Sequence, residues 1–417
     1  MVNRDSLRKF WQPAIKVLTG ASLAQIIPIV SNIFLALAVG AAQFGYFSLW
    51  LGFVYLGAVV ATLRLENALF IITQGQEREQ GLIAVIKISC MAAFGGAIVL
   101  FAFVLFMSDA LPDLSTSLLA ILVPSALLLG LNSLAQAFVV SNGAYNQVNR
   151  FRVSQAMAVA LAQCLLVLQN PTAMSMAGGF LLGQALCLVY VAHQLSAVLC
   201  FRSTNLRTRS FVRRHWRFLV FSLPADGLSS FGALLPVALI GSQYGAAAAG
   251  QVALTIRVLA APVGLLGKAI QDVFKREAVL ERKMYGSCRR LYFTILLGLF
   301  PIIILFILIL TYAGPPSFVL FFGEEWRLAG DMSKTLAPVY AVSLAASPLS
   351  YIVYLVERQY VDLIWQAFLV IFVWLSLTQF SSLMNAVSAY AYVYLGMYSI
   401  YLLISFKLCG APTKGVA

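Results

Sequence analysis

The sequence predicts an all-α polytopic membrane protein with twelve transmembrane helices in two related six-helix halves. Three observations predict it. Of 417 residues, 61% are hydrophobic and 10% charged, against about 25% charged in a soluble domain. Apolar runs of about 20 residues, enough to cross the bilayer core, recur along the whole chain. The lysines and arginines fall almost entirely between alternate runs.

The runs cover residues 17–39, 44–65, 82–107, 116–140, 152–170 and 174–199 in the first half. They cover 216–240, 248–270, 289–313, 332–356, 360–379 and 384–408 in the second. The run at 152–170 is the most polar, holding Gln155 and Gln163. An even count puts both termini on one side. Arg4, Arg8, Arg64, Arg78, Arg150 and Arg152 belong to one set of connecting segments, as do the arginines of 202–217 and the basic loop near 268–290. The opposite set holds only Arg327 and Lys334. By the positive-inside bias, both termini and the basic loops are cytoplasmic. This accounts for the net charge of +13 without nucleic acid, and offers anionic lipid a surface.

The stretch FRSTNLRTRSFVRRHWR, from Phe201, divides the chain. The expected organisation is an N-terminal lobe at 1–203, a basic linker at 204–215 and a C-terminal lobe at 216–417. LAQIIPIVSN (from Leu23) parallels FGALLPVALI (from Phe231), aligning Pro28 with Pro236. LVPSALLLGLNSLAQA (from Leu122) parallels LAPVYAVSLAASPLSY (from Leu336), aligning Pro124 with Pro338. Six spans return the chain to its starting side, so the repeat is parallel. Such repeats put a substrate cavity at their interface.

Arg257 stands inside an apolar run, about eight residues or roughly 12 Å from its outer end. A charge there is costly and needs a reason. Gly250, Arg257, Ala261, Gly264 and Lys268 fall within about 60° on a helical wheel, and Lys275 continues the line. A small, cationic stripe faces protein or water rather than lipid. The preceding helix carries Asp226 about ten residues in, beside Ser222, Ser229 and Ser230. Gln25 and Asn32 share a face in the first span, as do Ser125, Asn132 and Gln136 in the fourth. Ser343, Ser347, Ser350 and Tyr354 share one in the tenth. Two readings stand for the charges. Asp226 and Arg257 pair and hold two helices together, or Arg257 binds an anion such as phosphate and Asp226 relays protons or sodium. Gly178 and Gly179 read as helix-packing residues.

No phosphate-binding loop, nucleophile elbow or zinc motif is present. Six cysteines lack metal spacing and pack as small apolar residues, and two histidines are too few for a metal site. Glu324 and Glu325 read as a short solvated outer loop. No ATP-binding domain and no cofactor is expected, and any transport is secondary or partner-driven.

The segment from Phe322 to Gln359, FGEEWRLAGDMSKTLAPVYAVSLAASPLSYIVYLVERQ, resembles the signature of bacterial polysaccharide-biosynthesis membrane proteins. These are the O-antigen-type lipid-linked oligosaccharide flippases of the multidrug/oligosaccharidyl-lipid/polysaccharide exporter superfamily. Residues 218–278 are similar to that family's seventh and eighth spans, and residues 18–70 to its start. In many relatives the second span ends in an RYE-like stretch, where this chain reads RLENALF from Arg64. Arg64 and Glu66 read as a helix-end ion pair.

The resemblance implies two six-helix bundles forming a V around a central cavity. It also implies an undecaprenyl-pyrophosphate-linked glycan, moved from the cytoplasmic to the periplasmic leaflet of the bacterial inner membrane. The substrate-binding residues expected are Arg257, Lys268, Asn32, Asn132, Gln136 and Ser347, with Asp226 coupling to protons or sodium. A glycan polymerase or assembly complex is the expected protein partner. A multidrug cation antiporter, a membrane glycan polymerase or ligase, and a scaffold in a glycan-assembly complex are the rivals.

Overall fold

The computed structural model describes residues 4–70, 72, 75–107, 115–196, 208–216, 218–356 and 358–410. Every regular element among them is helical. Among the described residues ten helices are long and apolar enough to cross a membrane, so the described chain is an all-α, multi-pass membrane protein. The count differs from the expected twelve for two reasons. The first two runs are two helices that meet at a kink at Gly40, with φ 73° and ψ 168°, and together they make up α1 (Arg4–Thr62). The tenth run lies in Arg327–Leu349, where Ser, Thr, Pro and Lys334 lower the hydropathy below that of a span.

After α1 come a 3-10 turn (Leu65–Phe70), α2 (Gly75–Met107), α3 (Thr116–Ala120), α4 (Leu122–Ser141), α5 (Tyr145–Gln169) and α6 (Ala173–Gln194). Of the expected linker, 204–207 lie outside the described residues and Thr208–Arg214 forms α7. A π-helical turn (Phe218–Ser222) leads into α8 (Leu223–Tyr244), then α9 (Ala246–Tyr285) and α10 (Arg289–Tyr312). The basic segment expected as a loop at 268–290 is instead the end of α9. At 40 residues that helix is about 60 Å long, twice the bilayer core, so its polar end continues as helix. The outer loop expected near 314–331 is likewise helical. It forms α11 (Gly314–Phe322), a 3-10 turn (Glu324–Trp326) and the start of α12 (Arg327–Leu349), because Phe318, Phe322 and Trp326 bury their rings. Helices α13 (Ile352–Leu355), α14 (Gln359–Thr378) and α15 (Leu383–Leu408) complete the chain.

Two compact units emerge. The first comprises Val30–Gly241 and Gly245–Gly250. Its core joins Leu65 and Leu69 of the 3-10 turn to Leu82 and Val85 of α2, Leu134 and Phe138 of α4, and Phe151 of α5. Trp50 is fully buried and donates its Nε1–H to the Leu118 carbonyl at 2.8 Å. Gly179 and Gly183 of α6 press on the α5 backbone: a Cβ there would stand 2.5 Å from Gln163 Cα and 2.4 Å from Val159 Cα. Gly178 makes only ordinary contact, with Leu166. Within the same unit, α1 and the start of α9 cross at Gly45 and Gly250 with no room for side chains.

The second unit comprises Met1–Ile29, Ser242–Tyr244 and Gln251–Ala417. Phe274 of α9, Tyr292, Ile295 and Leu299 of α10, Leu344 and Leu349 of α12 and Tyr401 of α15 form its core. Gln251 ties α9 to the start of α12. It donates to the Glu325 carbonyl at 2.7 Å and accepts from the Ala329 N–H at 2.9 Å.

Candidate functional site

The end of α1 builds an unusual turn. Leu63 and Arg64 both have positive φ, 50° and 56°, a left-handed conformation costing a residue with a Cβ about 1 kcal/mol or more. Leu65 and Leu69, both fully buried just beyond, hold the turn in place. Its result is the placement of the Arg64 guanidinium between two carboxylates. Nη1 donates to Glu66 Oε1 at 3.1 Å, and Nε lies 2.7 Å from Asp226 Oδ2 of α8. Burial pulls the Arg64 pKa down, but Asp226 and then Glu66 outweigh it, so the net shift is upward and the charge is kept.

The cluster carries one positive and two negative charges. The Glu66 side chain is 6% exposed, that of Asp226 37%. Glu66 Oε2 is buried and has no hydrogen-bond partner among the described residues. A cavity of about 230 Å³ adjoins it, lined by Tyr55, Thr62, Arg64, Glu66, Ser133 and Ser230 among others. Its walls offer hydroxyls, and among the described residues its charged lining groups are Arg64 and Glu66. Asp226 lies on the first turn of α8, directly after the π-helical turn, a distortion that is frequent at functional sites. Its partner Arg64 follows the end of α1.

The cationic stripe of α9 opens progressively. Gly250 is buried, Arg257 and Ala261 are half-buried, and Gly264 and Lys268 are exposed. One turn pair further on, Lys275 sits 4.8 Å over the Tyr351 ring. Pro262 lies inside the helix, which continues through it.

The other expected polar residues divide. Asn132 of α4 is buried and donates to Gln184 of α6, to its carbonyl at 3.0 Å and its Oε1 at 2.9 Å. Gln155 of α5 donates to the same Oε1 at 2.8 Å and accepts from Gln136 at 2.8 Å. Arg152 Nε lies 3.5 Å from Gln136 Oε1 at the end of this ladder. The amides that made residues 152–170 look weak as a span thus join three helices, and Gln163 does likewise by donating to the Met176 carbonyl at 3.0 Å. Asn32 is half-buried and Ser347 exposed. The side chains of Gln25 and Tyr354 lie outside the described residues. Glu324 is held by Arg327 through two bonds of 2.9 and 3.0 Å on the surface.

The triangle of Arg64, Glu66 and Asp226 was only half legible in the sequence. A single residue, Leu65, separates Arg64 from Glu66, but Asp226 stands 160 positions beyond Glu66. The readable signals were a charged RLE stretch at a span end and a carboxylate near the start of a later span.

The sequence matches no protein-family model and no curated protein. Solved structures match over nearly the whole chain. A structure described as the lipid II flippase MurJ in an inward closed conformation has a TM-score of 0.71 at 14% identity, covering 94% of this chain and 87% of that one. An inward-facing multidrug resistance MATE family transporter of the MOP superfamily has 0.62 at 13%, covering 96% of each chain. The Vibrio cholerae MATE transporter VcmN in its bent form has 0.60 at 13%, covering 97% and 98%. These neighbours are transporters and a flippase, not enzymes. At such identities the likeness is one of fold: this chain shares the fold of these solved structures.

Proposed function

We propose that this protein is a flippase that moves undecaprenyl-pyrophosphate-linked oligosaccharide repeat units across the bacterial inner membrane for surface-polysaccharide assembly. The observation that carries the reading is the cationic stripe of α9, half-buried at Arg257 and open at Lys268. A guanidinium offers a planar fork that matches the two oxygens of a phosphate. Arg257 would hold the pyrophosphate deep in the protein, and Lys268 would receive it nearer the cytoplasm. Polar groups such as Asn32, Asn132, Gln136 and Ser347 would serve the glycan, and the lipid tail would stay in the bilayer. The fold likeness supports the same choice: the score against the lipid flippase is 0.71, against 0.60 to 0.62 for the MATE transporters above.

The chain would work by alternating access between lobes at 1–203 and 216–417, with both termini cytoplasmic. Its drive would be an ion gradient acting through the Asp226 cluster. A multidrug exporter of the same fold is the second reading, but a positive stripe repels the cationic drugs such a protein would carry.

The test is a leaflet assay. Membranes are loaded with labelled undecaprenyl-pyrophosphate oligosaccharide, and an impermeant probe scores the exposed face. Accumulation on the cytoplasmic face without the protein, reversed by wild type and not by Arg257→Ala at equal abundance, is the expected result. An unchanged leaflet distribution would remove the flippase reading.

A further inference from the structure

The geometry points to Glu66 as the proton-carrying group of the transport cycle, with Arg64 as the cation that Glu66 and Asp226 share. This rests on the transport reading above and assigns its coupling ion.

Two carboxylates and one guanidinium leave one uncompensated negative charge. It falls on the member that can least tolerate it, because the Glu66 side chain is 6% exposed and its Oε2 has no partner. A buried carboxylate oxygen without a donor is costly. A proton on Oε2 removes the charge and leaves the Oε1–Arg64 bond available. A metal cation is the poorer solution. It needs several oxygen ligands at once, and it would stand beside a guanidinium already 3.1 Å from the same carboxylate.

The surroundings agree. Thr62, Ser133 and Ser230 line the adjoining cavity, and hydroxyl-lined space of about 230 Å³ holds several waters to carry a proton. Beside Asp226, the titratable groups on the elements packed around this turn are Glu77, Arg78, Glu79 and Lys87 of α2, Arg209, Arg213 and Arg214 of α7, and His215 just after it. Helix α4 has no ionisable side chain along Leu122–Ser141, and the π-helical turn has none either. On α2, Glu77 is paired with Arg214. Arg78 donates to the Ile72 carbonyl at 2.6 Å and to Asn142 Oδ1 at 2.6 Å.

The consequence is a shared cation with two allegiances. With Glu66 ionised, Arg64 is divided between the turn after α1 and Asp226 on α8. With Glu66 protonated, Arg64 and Asp226 form a neutral pair by themselves. Proton binding therefore changes how firmly α8 is tied to the end of α1.

The test uses the full chain in proteoliposomes and the proton itself as probe. Infrared difference spectra across a pH titration read the C=O stretch of protonated carboxyls. A band present in wild type and lost in Glu66→Gln is expected, and in Asp226→Asn, where Arg64 and Glu66 balance each other, it should appear only at lower pH, with all three proteins melting at similar temperatures. A wild-type band unchanged in Glu66→Gln would overturn the assignment. A sodium-dependent rise in melting temperature at fixed pH, absent in Glu66→Gln, would assign the site to a metal cation and overturn it too. Glu66→Gln should also lower gradient-driven glycan transport at least tenfold. If wild type shows the band but moves no lipid-linked glycan, the transport reading fails and the protonation of Glu66 stands.

Discussion

Gly45 and Gly250 are reciprocal at one helix crossing. A Cβ on Gly45 would stand 2.0 Å from the Ala246 carbonyl oxygen, and a Cβ on Gly250 1.9 Å from that of Ala41. The two stretches read GAAQFG (40–45) and GAAAAG (245–250). Each opens on a glycine in the same rare conformation, φ 73° and ψ 168° at Gly40, φ 89° and ψ 167° at Gly245. That region is essentially open to glycine alone. The crossing is thus a local two-fold relation, each helix placing its own alanine carbonyl over the other's glycine.

Gly45→Ala and Gly250→Ala should each destabilise the protein by about 1–3 kcal/mol, since the added methyl meets backbone that cannot step aside. The double variant should cost less than the sum, because the first substitution already parts the helices. Thermal melts of detergent-purified protein measure this. Gly95→Ala is the control, with nothing within 4 Å of its would-be Cβ.

Removing Arg64 should hurt more than removing Asp226. Arg64→Ala strands a carboxylate that is 6% exposed, at about 3 kcal/mol. Asp226→Ala removes a group 37% exposed and leaves Arg64 its bond to Glu66, at about 1 kcal/mol or less. The Arg64→Ala deficit should shrink as pH falls. The stranded carboxylate then takes up a proton in the folded state sooner than in the unfolded one, so stability falls as pH rises. Melts of both variants across pH decide it, and equal, pH-independent losses would contradict the charge balance described for the cluster.

Gln184 accepts from both Asn132 and Gln155, so Gln184→Leu frees two donors at once. Hydrogen bonds between membrane helices are worth about 0.6 kcal/mol on average and under about 2 at most. A loss of about 1–2 kcal/mol is expected. Asn132→Leu combined with Gln184→Leu should restore part of it, because the buried Asn132 donor is then no longer stranded and only that of Gln155 remains. A double-mutant cycle in detergent melts reads the coupling, and strictly additive losses would argue that the ladder does not act as a unit.

Gln251 satisfies the Ala329 N–H in the first turn of α12, one of the orphan donors of a helix start, while holding the Glu325 carbonyl. Gln251→Leu should fray that turn. Amide hydrogen exchange at residues 323–330 should rise severalfold, with α14 unchanged. Unaltered protection there would show that the burial of Trp326 suffices to hold the turn.

Legibility tracked the range of the interaction. The apolar runs announced themselves because each span satisfies its own backbone and needs only a length of apolar side chains. Arg64 with Glu66 was readable as an ion pair from a two-residue spacing. The addition of Asp226 was not, since nothing local tells a carboxylate on α8 which turn it will meet. The stripe of Asn132 and Gln136 read as a polar face. That Asn132 faces Gln184, and Gln136 faces Gln155, depends on how α4, α5 and α6 are rotated against one another. The segments at 268–290 and 314–331 read as loops because polar and mixed residues dominate them. Burial of Ile270, Phe274, Phe318 and Trp326 keeps them helical.

The sequence by itself determined a helical, multi-pass membrane chain, the places of its apolar runs and the cationic stripe of α9. These follow from composition and helical period, which act within one helix and one solvent. Only the tertiary structure decided which polar groups meet. It brought Gly45 against Gly250, closed the Arg64, Glu66 and Asp226 cluster, and left Glu66 Oε2 without a donor. In the bilayer all helices are alike in being apolar, so their pairing is set by close packing and a few polar contacts, and those exist only once the helices are assembled.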